Sequence, residues 1–196
     1  MAKVGLSKPF YALYAAAAGV VTYSNGASMG KAVNAEIEPD DSATTIFYAD
    51  NGPAESANIF SGGTLTLEVD RLSADVVGAL LGITPGSSTT PVGTTLDFAA
   101  EATIPYVGVG LIAKSIVDNT PVWMAIILTK VQFKMPTLDM STQGEDIEFS
   151  ANELEATILR DDTTNANWMK WGYFATEANA ETWIKNQLSI TAATTE

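Results

Sequence analysis

The sequence predicts a mainly β fold with antiparallel strands and two short helices, because most of its apolar residues recur with a period of two. Residues 64–70 show the pattern most clearly, since Leu65, Leu67 and Val69 alternate there with polar residues. Such alternation is typical of a strand with one buried face. A chain of 196 residues, 46% of them hydrophobic, suits one core, so we expect a single domain over residues 1–196.

Short strands separated by turn residues are predicted in the first part of the chain. Asn25-Gly26 has the composition of a tight turn, and we expect it to join the second of these strands to the third. Gly62-Gly63 marks a further turn, directly before the strand at 64–70. The other strands are predicted at residues 9–14, 20–23, 32–37 and 45–48.

A long antiparallel hairpin is predicted between residues 106 and 135. Its strands cover 106–112 and 122–135, and the turn residues lie at 118–121. The apolar run at the centre predicts that the first half of this hairpin is buried on both faces. Further on, residues 146–159 carry apolar side chains first at odd and then at even positions. The change near Asn152 predicts a β-bulge or a sharp bend.

Two stretches follow a helical period. The first, residues 73–81, begins with a serine suited to the N-cap and is followed by Gly82 at the C-cap position. The second runs from about residue 177 to residue 188, and its Glu181 and Lys185 form a favourable i,i+4 pair. Its apolar stripe consists of Ala180, Trp183, Ile184 and Leu188.

Two long stretches resist assignment from the sequence, and the chain end is expected to fray. Residues 38–63 are polar and punctuated by Pro and Gly, and residues 84–95 are rich in Ser, Thr, Gly and Pro. Connections of this length inside a compact domain are usually functional or disordered. Residues 191–196 are expected to form a frayed tail.

The absence of cysteine and histidine excludes several classes of chemistry. Without cysteine there is no disulfide framework, thiolate zinc site or cysteine nucleophile. Without histidine the Ser-His-Asp and Cys-His systems and the histidine zinc sites are excluded as well. We therefore predict a protein that is not an enzyme and that has no catalytic, cofactor-binding or metal-binding residues and no cofactor.

The charge distribution argues against a protein that grips nucleic acid. The chain has 10 Lys and Arg against 23 Asp and Glu, a net charge of −13, and its basic residues are scattered. Tight binding to nucleic acid requires clustered cations that neutralise phosphates. The longest wholly apolar run, 122–128, is far shorter than the ~20 residues of a membrane span. We expect no membrane association and no signal peptide.

Three weaker patterns are better explained structurally. Ser28 and Lys31 match the S-x-x-K spacing of acylating serines, but the K-T-G segment that accompanies it is missing. Carboxylates cluster at several places, and a solvated acidic face explains them better than a calcium loop, although a glycosidase pair stays open. The four tryptophans could stack sugars or bases, yet packing is the preferred interpretation.

A series of motifs follows in order along nearly the whole chain: Gly5-Leu6-Ser7-Lys8-Pro9-Phe10-Tyr11, Val21-Thr22-Tyr23-Ser24-Asn25-Gly26, Gly30-Lys31-Ala32-Val33, Phe47-Tyr48-Ala49-Asp50-Asn51, Ala54-Glu55-Ser56, Phe60-x-Gly62-Gly63-Thr64-Leu65, residues 72–82, and the final helix that begins near Phe174-Ala175-Thr176-Glu177. In this order and spacing the motifs resemble the phi13-type major tail proteins of long-tailed bacteriophages.

The resemblance implies a tail-tube fold, an antiparallel β-sandwich or flattened barrel with a short flanking helix and a C-terminal helix. It also implies a structural virion protein, of which six copies close a ring whose inner strands form a channel. Stacked rings would surround a tape-measure protein and meet tail initiator (distal tail) and tail terminator proteins. Double-stranded DNA would later pass through the bore without adhering. The protein would be assembled in the host cytoplasm and end in the virion tail.

Two sets of residues are candidates for roles in such a tube. Acidic side chains that line the bore would repel DNA, and the candidates are Glu68, Asp70, Glu148, Glu153 and Glu155. The polar stretch 38–63 is a candidate arm onto an adjacent subunit or ring, with Asp40, Asp41, Tyr48, Asp50, Asn51, Glu55 and Phe60. Many relatives carry an additional immunoglobulin-like domain, and with Glu196 directly after the last helix we expect an undecorated tube.

Three other functions stay open at this stage. The nearest is a tube protein of a contractile tail or of a secretion device. The second is a monomeric β-sandwich binding module for carbohydrate or for surface attachment, which would use the tryptophans. The third is a carboxylate hydrolase.

Overall fold

The computed structural model describes residues 2–40, 45–49, 52–57, 60–89, 91–99, 101–117, 119–136 and 152–190. These residues form antiparallel β-strands and two helices, so the predicted mainly β class is confirmed. The elements are β1 (Ala2–Ala17), β2 (Val20–Ser28), β3 (Ala32–Asp40), β4 (Thr45–Ala49), β5 (Gly52–Ala57), β6 (Gly62–Val69), α1 (Ala74–Leu81), β7 (Gly86–Thr89), β8 (Val92–Thr95), β9 (Val107–Val117), β10 (Thr120–Phe133), β11 (Asn152–Leu159), β12 (Met169–Phe174) and α2 (Glu177–Gln187).

Eight strands form one sheet in the order β2-β1-β9-β10-β11-β6-β3, with β12 also paired to β10. Strand β10 changes its pairing partner along its length. Residues 123–128 pair with β12, whereas residues 130–133 pair with β11, and the register with β9 shifts between Leu128 and Val131. The chain thus forms two layers, β2-β1-β9-β10-β12 and β11-β6-β3, which is consistent with a β-sandwich.

The main core lies between the two layers and beneath α1. Strands β9 and β10 contribute Val109, Leu111 and Leu128 from one layer, and β6 contributes Leu65 and Leu67 from the other. The predicted alternation in residues 64–70 is confirmed, because every second side chain of β6 is fully buried. The same holds for the even positions of β11, which are Leu154, Ala156 and Ile158.

The second face of the β9–β10 hairpin packs against α2, as the apolar run predicted. Ile112, Ala125 and Ile127 form a separate cluster with Ala180, Ile184 and Leu188 of the helical segment. Glycines let the helix approach: a Cβ added at Gly110 would lie 2.4 Å from Ile184 Cγ2. The hairpin is therefore covered on both sides, although Met135 beyond its end is exposed.

Both predicted helices are confirmed, the first together with both of its predicted caps. Ser73 Oγ accepts a hydrogen bond from the backbone N–H of Val76 (3.3 Å), and Gly82 ends α1 with φ 71°. Helix α2 begins after Thr176, whose side chain caps it by accepting from Asn179 N–H. Its predicted i,i+4 pair forms, with Lys185 Nζ 2.7 Å from Glu181 Oε1.

The predicted hairpin turn at Asn25-Gly26 is wrong. These residues lie inside β2, where the register with β1 shifts between Tyr11 and Leu13, so they form a bulge. Asn25 has φ 49°, and the turn between β1 and β2 is made by Ala18-Gly19 instead. Asn and Gly tolerate positive φ in a bulge as readily as in a turn, so composition alone did not distinguish the two.

The two stretches that resist assignment from the sequence contain strands. Residues 38–63 include the hairpin β4–β5, and residues 84–95 include the hairpin β7–β8, each a separate two-stranded sheet. Strand β4 confirms the strand predicted at residues 45–48, whereas β5, β7, β8 and β12, each of which contains Gly, were not predicted. The predicted bulge near Asn152 and the tail at 191–196 fall at or beyond the limits of the described residues.

Candidate functional site

The outer surface of the layer β11-β6-β3 carries aligned rows of polar side chains. In antiparallel register, Glu153 lies opposite Glu68, which lies opposite Asn34. The next row consists of Glu155, Thr66 and Glu36, and the third of Thr157, Thr64 and Glu38. We name this surface the acidic face and define it by its five carboxylates, Glu36, Glu38, Glu68, Glu153 and Glu155.

Alternation along the three strands places these carboxylates on one side. In β6 and β11 the intervening side chains, such as Leu67 and Leu154, are buried in the main core. In β3 the intervening Ala35 and Ile37 pack against that core as well. Because side chains alternate strictly between faces, burial of one set forces the glutamates outward.

The acidic face has little compensation by cations. Lys134 forms an ion pair with Glu155, and among the ion pairs of the described residues it is the only one on this surface. The other ion-paired lysines bind elsewhere: Lys8 of β1 and Lys185 pair with glutamates of α2, and Lys130 pairs with Asp162. Like charges on adjacent strands therefore add, and the face presents a negative potential to solvent.

The structure brings together three of the five candidate bore residues, Glu68, Glu153 and Glu155. Asp70 follows the end of β6 and stabilises a turn, since its Oδ1 accepts from the backbone N–H groups of Lys31 (2.8 Å) and Arg71 (2.9 Å). The hydrogen bond from Lys31 is the main reason why the pKa of Asp70 is lowered. Glu148 lies outside the described residues.

Glu36 and Glu38 belong to the acidic face but were not among the candidates. They lie on β3, directly opposite Thr66 and Thr64. The signal that could have found them is the alternation of Asn34, Glu36 and Glu38 with Ala35 and Ile37 in the predicted strand. The predicted strand ends at residue 37, so Glu38 falls in the stretch that follows and the face it shares with Glu36 is not apparent.

The candidate arm residues are distributed over several settings. Phe60 stacks on Trp168 of its own chain, with ring centroids 4.3 Å apart and planes 4° from parallel. Asp40 ends β3, and its carbonyl accepts a hydrogen bond from Ser61 Oγ (3.0 Å). Tyr48 lies in β4 and Glu55 in β5. The other candidates, Asp41, Asp50 and Asn51, lie outside the described residues.

A second polar cluster secures the segment that follows β11. Tyr14 Oη donates to Asp162 Oδ2 (2.7 Å) and accepts from the Asp162 N–H (2.9 Å), while Lys130 Nζ lies 2.8 Å from the same carboxylate. Lys130 also lies over the rings of Tyr14 and Tyr106. Burial raises the pKa of Tyr14 to about 12, and the hydrogen bond from Lys130 lowers the pKa of Asp162. The polar groups of Tyr14, Asp162 and Lys130 thus bind one another, and we interpret the cluster as structural.

Exposed aromatic side chains occur on β12. Trp171 is 58% and Tyr173 50% exposed, and both lie on the same side of the strand. Trp123, Trp168 and Trp183 are half-buried and pack against the two core clusters. The packing interpretation therefore holds for these three tryptophans but not for Trp171.

The remaining motifs provide no reactive centre. Ser28 ends β2, and its Oγ hydrogen-bonds only to backbone groups of Pro9 and Gly30, so it does not begin a helix as an acylating serine would. Within the described ranges, no group of three or more acidic side chains is placed to hold a metal ion. None of the described helices is long and apolar enough to span a membrane.

Comparison of the sequence with known proteins yields no matching family model and no matching curated protein.

Proposed function

We propose that this protein is a structural subunit that assembles into stacked rings, six copies to a ring, forming the tail tube through which a long-tailed phage delivers its DNA. The proposal starts from the ordered series of motifs along the sequence. The observation that carries it in the structure is the acidic face, which is broad and nearly free of cations.

The acidic face suits the wall of a channel for DNA. Duplex DNA carries about one negative charge per 1.7 Å of its axis, and adhesion requires lysines or arginines that replace its counterions. A wall with five carboxylates and one paired lysine per subunit repels the phosphates instead. The DNA would then pass through the bore with no site at which it is retained.

Open strand edges suit closure into a ring. Strands β2, β3 and β12 each pair with one neighbour among the described strands, so each has a second edge without a strand partner. Such edges are a liability in a monomer, because they pair readily with other chains. A head-to-tail contact between different edges of successive subunits gives a closed ring if the rotation closes.

The partners follow from the architecture of a tube. The rings would stack on one another and enclose a tape-measure protein, with a tail initiator or distal tail protein at one end and a terminator at the other. DNA would be a passing cargo and not a ligand. Assembly would take place in the host cytoplasm, and the finished protein would belong to the virion tail.

Electron microscopy of negatively stained protein over a concentration series tests the proposal. Hollow striated tubes or closed rings are the expected result. Compact monomers at every concentration, also after co-expression with neighbouring tail proteins, would contradict it. Glu68→Gln with Glu153→Gln is expected to leave tubes intact but to make them retain DNA, whereas the matched exposed pair Asp97→Asn with Glu101→Gln should not.

One observation favours a second candidate, a monomeric binding module for carbohydrate or surface attachment. Trp171 and Tyr173 form an exposed aromatic pair on one side of β12, and aromatic faces of this kind stack on sugar rings. A module of this type stays monomeric on size-exclusion chromatography at high concentration, and Trp171→Ala abolishes its binding to glycan arrays. A tube subunit forms oligomers on size-exclusion chromatography at high concentration.

A tube protein of a contractile tail or secretion device has the same requirements for edges and for a channel wall. The two kinds of tube differ in their surroundings, because a contractile tube is enclosed by a sheath. A sheath gene beside the gene for this chain would therefore decide for the contractile device.

A further inference from the structure

An apolar groove of about 260 Å³ lies where β3 crosses the first layer. Its floor consists of the buried side chains Leu111, Ala113 and Ile126 from β9 and β10. Leu6 of β1 forms one wall, and residues of β3 form the other. The full lining is Gly5, Leu6, Val33, Asn34, Ala35, Ile37, Leu111, Ala113 and Ile126, and it contains no charged side chain.

The groove is bordered by two strand edges that have no strand partner in the described part of the chain. Strand β3 pairs with β6 along one edge only. Strand β1 pairs with β2 from Phe10 onward, so its residues 2–7 pair with β9 alone. Val33, at the rim of the groove, is 56% exposed although it is apolar. The surface is therefore apolar and offers backbone donors and acceptors beside it.

We propose that strand β4 of a second copy of this chain pairs with the free edge of β3 and covers this groove. The inference rests on the proposed function and names the contact that joins two subunits of the tube. A strand added to β3 places every second side chain on the side of the groove. The five residues of β4 span about 17 Å, the same length as residues 33–37 of β3, so when the two strands are centred on one another Phe47 lies opposite Ala35.

The choice of β4 rests on hydrophobicity and on charge. Its sequence, Thr-Ile-Phe-Tyr-Ala, is uncharged and contains three large apolar or aromatic residues. On the far side of β3 the incoming strand lies beside Glu36 and Glu38, and a like charge there would be unfavourable. Strand β5 contains Glu55, and β7 and β8 consist mainly of Ser, Thr and Gly, so they fit less well.

The second copy is required because the chain does not use its own hairpin in this way. Strand β4 pairs with β5 as a separate two-stranded sheet, and neither joins β3 among the described pairings. A two-stranded hairpin on its own is at best marginally stable in water. Docking on a neighbour pairs the backbone groups of the outer edge of β4 with those of the open edge of β3 in one contact.

Disulfide trapping tests the contact directly, because the chain has no cysteine of its own. Ala35→Cys and Phe47→Cys are purified separately, one with a heavy-isotope label, mixed under assembly conditions and oxidised. We expect several-fold more mixed dimer than in the matched control, in which Ser24→Cys on the exposed part of β2 replaces Ala35→Cys. A disulfide requires Cα atoms within about 7 Å, so random encounters give little product.

A substitution without cross-linking supplies the second measurement. Val33→Asp places a charge at the rim of the groove, and since Val33 is exposed the monomer should fold and melt normally. We expect it to lose ring and tube formation, whereas Ala99→Asp, also at an exposed position, should assemble like the parent. Assembly of the Val33→Asp variant, or cross-linking no higher than the control, would overturn the contact and leave the tube function standing. If the parent itself never polymerises, the tube function fails and the contact fails with it.

Discussion

Glu68 of β6 and Glu153 of β11 are directly opposed in antiparallel register on the solvent side of the sheet. Neither carboxylate has a lysine or arginine partner among the described ion pairs, since Lys134 binds Glu155 in the next row. Opposed like charges on adjacent strands destabilise a sheet. The pair therefore costs the isolated monomer stability, and the proposed channel wall gives a reason for that cost.

Neutralising one member of this pair should stabilise the isolated subunit. We expect Glu153→Gln to raise the free energy of unfolding by about 0.2–1 kcal/mol, because it removes the repulsion across the two strands. Urea denaturation at low salt measures the change, and added salt should reduce it by screening. Glu38→Gln is the matched control, since Glu38 faces Thr64 and should respond less. Equal gains at both positions would mean that net charge, and not this pair, is responsible.

The ion pairs that Glu181 of α2 forms with Lys8 of β1 and with Lys185 should make the stability of the subunit depend on pH. Hydrogen bonds from Lys185 and Lys8 lower the pKa of Glu181, and its partner Lys8 has a raised pKa, mainly through Glu181. A lowered carboxyl pKa contributes stability above the unfolded value of 4.5, and this contribution is lost as the pH falls through the folded value. A raised lysine pKa contributes below 10.5 and is lost as the pH rises past the folded value.

Glu181→Gln should therefore lower the melting temperature at neutral pH, and its difference from the parent should shrink as the pH falls through the lowered pKa of Glu181. The expected loss is about 0.2–1 kcal/mol, because the groups are only partly buried. Melting curves by circular dichroism between pH 3 and pH 8 give the result. The exposed Glu101→Gln is the control, and a difference between parent and Glu181→Gln that does not change with pH would contradict the assignment.

Alternation predicts which side of each strand the glutamates of the acidic face occupy, but it does not predict which strands lie side by side to form that face. The period of two in residues 64–70 and at Glu153 and Glu155 places each set on one side of its strand. Which strands become neighbours depends on β10, which pairs with β12 before residue 129 and with β11 after it. No local pattern near Thr129 marks this change, so Glu36 and Glu38 were not connected with Glu68.

The errors in the sequence interpretation concern glycine and asparagine. Asn25-Gly26 makes a bulge, and Gly172 lies inside a strand, because both residue types accept conformations that turns and strands share. Gly108 and Gly110 illustrate the opposite case. Glycine inside a strand is also typical of close approach by another element, and here Tyr23 of β2 and Leu188 approach Gly108, while Ile184 of α2 approaches Gly110.

That close approach can be tested at Gly110. A Cβ there would lie 2.4 Å from Ile184 Cγ2, so either the strand or α2 must shift. We expect Gly110→Ala to cost about 1–3 kcal/mol, as overpacking in a core does. Gly93→Ala on the β7–β8 hairpin is the control, since nothing lies within 4 Å of its added methyl group. If chemical denaturation shows equal stability for both variants, Ile184 of α2 does not pack closely against Gly110 of β9.

The stack of Phe60 on Trp168 should hold the base of the β4–β5 hairpin to its own subunit. The two rings are nearly parallel at 4.3 Å, and such pairs contribute about 0.5–1.5 kcal/mol beyond their buried area. A double-mutant cycle with Phe60→Leu and Trp168→Leu should therefore show a coupling free energy in this range. Its second readout is assembly: if the hairpin reaches a neighbour from a fixed base, Phe60→Leu should raise the concentration at which rings form. Coupling without any effect on ring formation would mean that the stack stabilises the subunit but does not orient the hairpin.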